Sequence, residues 1–215
     1  MKKIITISAL LCAASSASEF SYTDVGINYA TGSAELPNFV SDFFGIGKDL
    51  DVEAVQAEAR FQIAEGFYGY LNYDNANIEV EDVGLDFDYW AVTAGMGGHC
   101  SLAESLDSYY GAGYRYSSLG IDDYDQSLGY IRLHAGLRWA PVSWLEVNPS
   151  LIYDIGVKDD DFLEAINITY VNLNLYLTSF ECVRPFVGGT LELQSSDENL
   201  VGDLALFKAG IRFDF

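Results

Sequence analysis

Residues 207–215 alternate without a break. Phe207, Ala209, Ile211, Phe213 and Phe215 fall on one face; Lys208, Gly210, Arg212 and Asp214 fall on the other. A period of two is the period of a β-strand. The apolar face needs a cover, and the charges opposite need partners or water. A strand in a closed transmembrane barrel meets both demands, with its apolar face on lipid and its polar face on a lumen.

The rest of the chain repeats the pattern. Alternation predicts further strands over residues 20–31, 52–64, 67–74, 88–99, 108–118, 129–140, 144–156, 168–179 and 184–194. The first shows Val25, Ile27 and Tyr29 on its apolar face. The second shows Val55, Ala57, Ala59, Phe61 and Ile63, and the sixth Ile131, Leu133, Ala135, Leu137 and Trp139. No apolar face in the set carries a charge. A soluble sandwich also has an apolar inner face, but its outer face would be studded with Lys and Glu. The expected fold is therefore all-β, a closed antiparallel transmembrane β-barrel of about 10 strands. A barrel of about 8 strands is the alternative if 67–74 or 108–118 is not a strand.

The connections alternate in size. Short turns fall near Glu65 and at 100–107, 141–143 and 180–183; longer ones span 32–51, 75–87, 119–128, 157–167 and 195–203. Short periplasmic turns and longer extracellular loops are the asymmetry of these barrels, and an even strand number puts both termini in the periplasm. Aromatics sort by height. Tyr29, Tyr73, Trp90, Tyr116, Tyr153 and Phe207 fall at the loop end, and Phe61, Phe67, Tyr110, Trp139, Trp144 and Phe215 at the turn end. Two girdles at two interfaces suit amphipathic rings. Pro149 removes a ladder donor where a closed barrel has no edge to hide it, so a bulge or a thinned ladder is expected there.

At the other end, Lys2 and Lys3 precede an apolar run and then the small residues Ala13, Ala14, Ser15, Ser16, Ala17 and Ser18. This reads as a secretory signal peptide over residues 1–18, leaving 19–215 as one domain. Cys12 follows Leu11, which is too large for a lipid-attachment site. The formal charge of −21 repels nucleic acid. Acidic residues crowd the longer connections, most densely at 79–82, at Asp122, Asp123 and Asp125, and at Asp159, Asp160 and Asp161. None of these runs has EF-hand spacing. A solvated, self-repelling surface is the simplest reading; divalent cations bridging to lipopolysaccharide phosphates are the alternative.

The architecture and the ending Ile211-Arg212-Phe213-Asp214-Phe215 make the chain similar to the small bacterial outer-membrane barrels, of the OmpA membrane-domain and OmpX kind. The resemblance implies an integral outer-membrane protein in contact with lipid and lipopolysaccharide. It also implies that Phe213 and Phe215 form the assembly signal read by the barrel-assembly machinery. Relatives of this size are adhesins, membrane-stabilising proteins or narrow porins. A structural or surface-interaction role is the expectation, a narrow porin for small solutes or ions the alternative, and an outer-membrane enzyme the least favoured.

The inward parity collects Arg60, Arg115, Arg132, Arg138, Lys208 and Arg212, with His134 among them. Bare cations in a lumen are costly, so Glu58, Glu146, Glu192 and Asp214 are the expected partners. The hairpin at 141–143 puts Arg138 about opposite Glu146. In a barrel roughly 20 Å across, long side chains from opposite walls nearly meet. This reads as a satisfied polar plug, with a charge-lined pore as the alternative. No catalytic, metal or cofactor set is expected. His134 has no Asp-x-His or His-x-Ser beside it, and His99 with Cys100 offers too few ligands.

Cys100 and Cys182 both fall on the periplasmic turns of this reading, where disulfides persist. A bridge needs Cα atoms about 4.4–6.8 Å apart, and these turns lie almost across the lumen. Pairing would require the 101–107 turn to fold inward, so a disulfide over the mouth and two separate thiols both stand. Deleting Phe215 is expected to lower outer-membrane insertion while export continues, as read by membrane fractionation; wild-type insertion would show that the ending is not the signal.

Overall fold

The computed structural model describes residues 20–35, 49–80, 85–121, 124–158, 167–180, 182–195 and 204–215. Its strands are β1 Asp24–Glu35, β2 Asp49–Ala64, β3 Phe67–Val80, β4 Leu85–Ala103, β5 Leu106–Ile121, β6 Tyr124–Val142, β7 Leu145–Lys158, β8 Ile168–Leu177, β9 Val183–Ser195 and β10 Ala205–Asp214. Each pairs with its sequence neighbour, and β1 pairs with β10 to close the barrel. The closing ladder is antiparallel and runs from Asp24↔Asp214 to Ser33↔Ala205. Closure matters because lipid offers no hydrogen bonds to an open edge. The ten-strand expectation holds, and both doubtful segments are full strands.

The outward apolar positions lie bare on the barrel wall. Val25, Phe61, Leu71, Leu133, Leu173, Leu191 and Phe207 are all exposed, as a lipid-facing wall requires. At the turn end the strands join tightly. The pairs Ala64↔Phe67, Ala103↔Leu106 and Val142↔Leu145 enclose only Glu65-Gly66, Glu104-Ser105 and Ser143-Trp144. Gly66 sits at φ 75°, a left-handed conformation that favours glycine, and its carbonyl accepts from the His99 amide at 2.9 Å.

Three expectations need correction. First, β1 begins at Asp24, and residues 20–23 are not strand. Phe20 and Tyr22 are buried because this segment turns into the lumen. Second, the strands run past the expected loop ends. β3 and β4 stay paired to Val80↔Leu85, and β5 and β6 to Ile121↔Tyr124. The connections shrink to 81–84 and 122–123, so the alternation in size does not hold there. The physical reason is that the alternation changes phase. Outward positions become polar (Asp51, Asn75, Asn77, Glu79), while the inward positions Val52, Ala76 and Val80 are buried and apolar. A reading keyed to apolar outward faces stops where that phase changes.

Third, Cys100 is not in a turn. It lies on β4 opposite Ser108, buried, with its thiol 3.8 Å from the Ser101 carbonyl. The hairpin 101–107 stays in the wall, so nothing brings Cys100 to Cys182. The disulfide is not formed, and Cys182 is an exposed thiol between β8 and β9. Pro149 behaves as expected. The β6–β7 pairing passes from Gly136↔Ser150 to Trp139↔Val147, and the ladder is thinned opposite the proline. The 1–18 signal segment and the runs at Asp122-Asp123 and Asp159 to Asp161 lie outside the described residues.

A closed ladder of this kind resists detergent. Unheated protein is expected to migrate differently from boiled protein on a detergent gel; identical migration with helical circular dichroism would contradict the barrel.

Candidate functional site: the lumen

Lumen chemistry is layered from the turn end upward. At the bottom, Glu146 on β7 is fully buried and accepts from three guanidinium groups. Arg138 on β6 donates through Nε to Oε1 at 2.8 Å and through a terminal nitrogen to Oε2 at 3.1 Å. Arg212 on β10 donates to Oε2 at 2.9 Å, and Arg184 on β9 to the same oxygen at 2.8 Å. Asp214 pairs with both Arg212 and Arg184. The cluster thus ties four strands across the turn-end mouth.

Residues 20–23 complete the closure. Arg138 donates to the Ser21 carbonyl, and its guanidinium lies 4.8 Å from the Phe20 ring centroid and 5.1 Å from that of Tyr22. Arg212 lies 4.0 Å from the Tyr176 ring. These faces take up cationic charge that Glu146 and Asp214 leave over. The Thr23 carbonyl accepts from the Phe215 amide at 2.9 Å, fastening the segment to the chain's last residue.

Above the cluster an aromatic shelf crosses the lumen. The Tyr22 ring stacks on His99 at 3.8 Å between centroids and on Tyr68 at 5.3 Å. The Tyr68 hydroxyl is 3.0 Å from His134 Nε2, and Tyr70 meets the His134 ring edge-on at 4.9 Å. The Tyr109 hydroxyl donates to Asn148 Oδ1 at 2.8 Å. His99 Nδ1 is 3.9 Å from the Asp107 carboxylate, and its ring is packed against Tyr22.

Neutralised pairs stand beside and above the shelf. Opposite Tyr70, Arg60 is bidentate to Asp24, with Nε–Oδ1 at 3.1 Å and a terminal nitrogen 2.9 Å from Oδ2. Arg132 is bidentate to Asp154 at 2.8 and 2.6 Å. Arg115 donates to Asp74 at 2.7 Å and to the Tyr89 hydroxyl at 2.7 Å. Lys208 reaches Asn172 Oδ1 at 3.4 Å. Among the described residues, Lys208 and Glu58 enter none of the ion pairs, although both line the lumen cavity. Glu192 also lines that cavity.

At the loop end the wall turns apolar. Ala30, Ala34, Val52, Ala54 and Ala76 form a buried cluster with Leu50, Ile78, Leu204 and Leu206 packed against it. Between this collar and the shelf lies a cavity of about 520 Å³. Among the described residues no group of three or more metal-ligating side chains is gathered.

The lumen residues anticipated from parity are where they were expected, and Glu146 and Asp214 are partners as expected. The acceptors of Arg60, Arg115 and Arg132 are Asp24, Asp74 and Asp154 instead of Glu58 or Glu192. Arg138 reaches Glu146 on the diagonal, because the register places Trp139 opposite Val147. Arg184 and the plug residues Phe20 and Tyr22 were missed. Their signal was present: Phe20 and Tyr22 share the parity of inward Asp24, and Arg184 that of inward Glu192.

No protein-family model and no curated protein matches the chain. Solved structures do. An outer-membrane channel from Pseudomonas putida F1 is 9% identical, with a TM-score of 0.55, covering 94% of this chain and 98% of its own. Neisserial surface protein A is 12% identical, with a TM-score of 0.46, covering 91% and 98%. The outer-membrane protease OmpT of Escherichia coli is 11% identical, with a TM-score of 0.48, covering 90% and 94%. The shared feature is the fold, that of the small outer-membrane β-barrels.

Glu146→Gln is expected to leave buried guanidinium groups short of a carboxylate and cost about 3–5 kcal/mol. The measurement is the urea midpoint for loss of the compact gel band, which should fall well below wild type. An unchanged midpoint would remove Glu146 from its central place.

Proposed function

We propose that the chain is an integral outer-membrane barrel that does not conduct, with its turn end and both termini toward the periplasm, serving a structural or surface-interaction role. One observation carries this reading: the turn-end mouth is closed by residues 20–23 and by the Arg138–Glu146–Arg212 cluster. A through-pore would require both the cluster and the shelf above it to move. Sharing a fold with a channel does not imply conduction, because function lies in the lumen's own residues.

The loop end suits a surface role. Outside the barrel, Asp51, Glu79 and Asp86 stand directly opposite one another on β2, β3 and β4. Like charges in that register repel. Divalent cations shared with lipopolysaccharide phosphates would relieve the repulsion. The protein is read as non-catalytic: the His134 Nε2 faces a tyrosine hydroxyl and His99 is stacked on Tyr22, so each imidazole is engaged in packing. Phe213 and Phe215 remain the proposed assembly signal for the barrel-assembly machinery.

Refolded wild-type protein in planar bilayers is expected to hold the baseline current. Steady ion-selective steps would overturn the reading in favour of the narrow porin.

A further inference from the structure

The cavity has an order of polarity along its depth that the closed-barrel reading does not use. Its upper wall is the largely apolar collar, with Leu204 just before β10 and Leu206 on it packed with Ala34, Leu50 and Val52, and with Glu192 beside Leu204. Lys208 is the next inward residue below Leu206. Glu58 lies deeper, on β2. The register sets the offset: Lys208 is level with Ala30 of β1, and Glu58 with Gly26. The two side chains therefore flank β1, with the cation above and the anion below. The residues of β1 between them are small or neutral: Ala30, Asn28 and Gly26. A strand rise of about 3.3 Å per residue and a strand spacing of about 4.8 Å put the two Cα atoms roughly 16 Å apart. Lys208 reaches away from β1 to Asn172 Oδ1 on β8 at 3.4 Å, whereas Glu58 lies against Gly26, so the two charged ends stay apart.

The three cavity arginines are already bonded to Asp24, Asp74 and Asp154. Below the collar, among the described residues, a ligand therefore meets these neutral pairs together with Lys208 and Glu58; Glu192 lies higher, its amide donating to the Leu204 carbonyl at 2.9 Å. The floor near Glu58 is lined by Tyr70, Tyr109 and Tyr176, whose ring faces favour cations. The volume of about 520 Å³ falls in the ordinary range of ligand pockets.

We propose that this cavity binds a single-chain zwitterionic amphiphile, with its alkyl chain in the collar, its anionic group on Lys208 and its terminal ammonium beside Glu58 and the tyrosines. The order of charges follows from the depth of the two residues. The anion must lie next to the chain and the cation at the far end. A head with the reverse order puts like against like at both positions. An amphiphile with one charge satisfies only one of the two side chains and leaves the other desolvated.

The test uses the full-length barrel in nanodiscs of phosphatidylglycerol, whose lipids lack such a head. Calorimetric titration with n-decylphosphocholine, below its micelle-forming concentration, is expected to show saturable one-to-one binding. A decyl sulfobetaine, with the opposite charge order, decanoate and decyltrimethylammonium should each bind about tenfold more weakly or worse. Lys208→Met should weaken decylphosphocholine by about tenfold and remove its advantage over decyltrimethylammonium. Glu58→Gln should remove its advantage over decanoate. Leu206→Trp fills the collar and should abolish binding while the unheated compact gel band persists; if that band is lost, Ala54→Phe serves in its place. Equal binding of all four amphiphiles would overturn the proposal, as would binding unchanged by the collar variant, since both indicate partition onto the lipid-facing wall. Tighter binding of the sulfobetaine would overturn the assigned order. None of these outcomes depends on whether the barrel conducts.

Discussion

A single buried carboxylate holds the turn end together. Glu146 accepts from Arg138, Arg184 and Arg212, drawn from β6, β9 and β10. Each arginine alone would carry a desolvation cost of several kcal/mol in such a site. Because the partners come from separate strands, the ion cluster also fixes how those strands stand relative to one another. Asp214 shares two of the guanidinium groups, and the faces of Phe20, Tyr22 and Tyr176 receive the cationic charge that remains. The N-terminal segment is held because Arg138 needs a further acceptor, which the Ser21 carbonyl supplies.

From that floor the lumen changes character in steps. Tyr22, Tyr68, Tyr70 and Tyr109 form a shelf around the two histidines. The Arg132–Asp154 and Arg115–Asp74 pairs come next, each neutral as a unit. The collar at the loop end is apolar, the reverse of a water-filled channel mouth. Depth thus runs from charged to aromatic to mixed to largely apolar.

Alternation made the barrel legible. Val25, Ile27 and Tyr29, and the same spacing through Phe215, identify the lipid face, and strand number and closure follow from it. The inward cations were legible for the same reason, since parity alone places Arg60, Arg115, Arg132, Arg138, Lys208 and Arg212 in the lumen. Partner choice was not. Whether Arg60 takes Glu58 or Asp24 depends on shear between strands and on side-chain reach, neither of which is written in the period of two. The plug was hidden because Phe20 and Tyr22 continue the parity of β1 beyond its last ladder pair. The collar was hidden because Val52, Ile78 and Leu206 are apolar on the inward phase, where polar residues were sought.

The closed turn end can be probed directly by placing a thiol just above the shelf. Ser150 lines the cavity on β7, and Ser150→Cys with Cys100→Ser and Cys182→Ser gives a single reporter. In oriented vesicles, a membrane-impermeant thiol reagent applied at the turn end should leave this cysteine unmodified. Adding Phe20→Gly, Tyr22→Gly and Glu146→Ala, which opens both the plug and the cluster, should raise its modification. Rapid modification of the reporter with the plug and the cluster intact would contradict the closure.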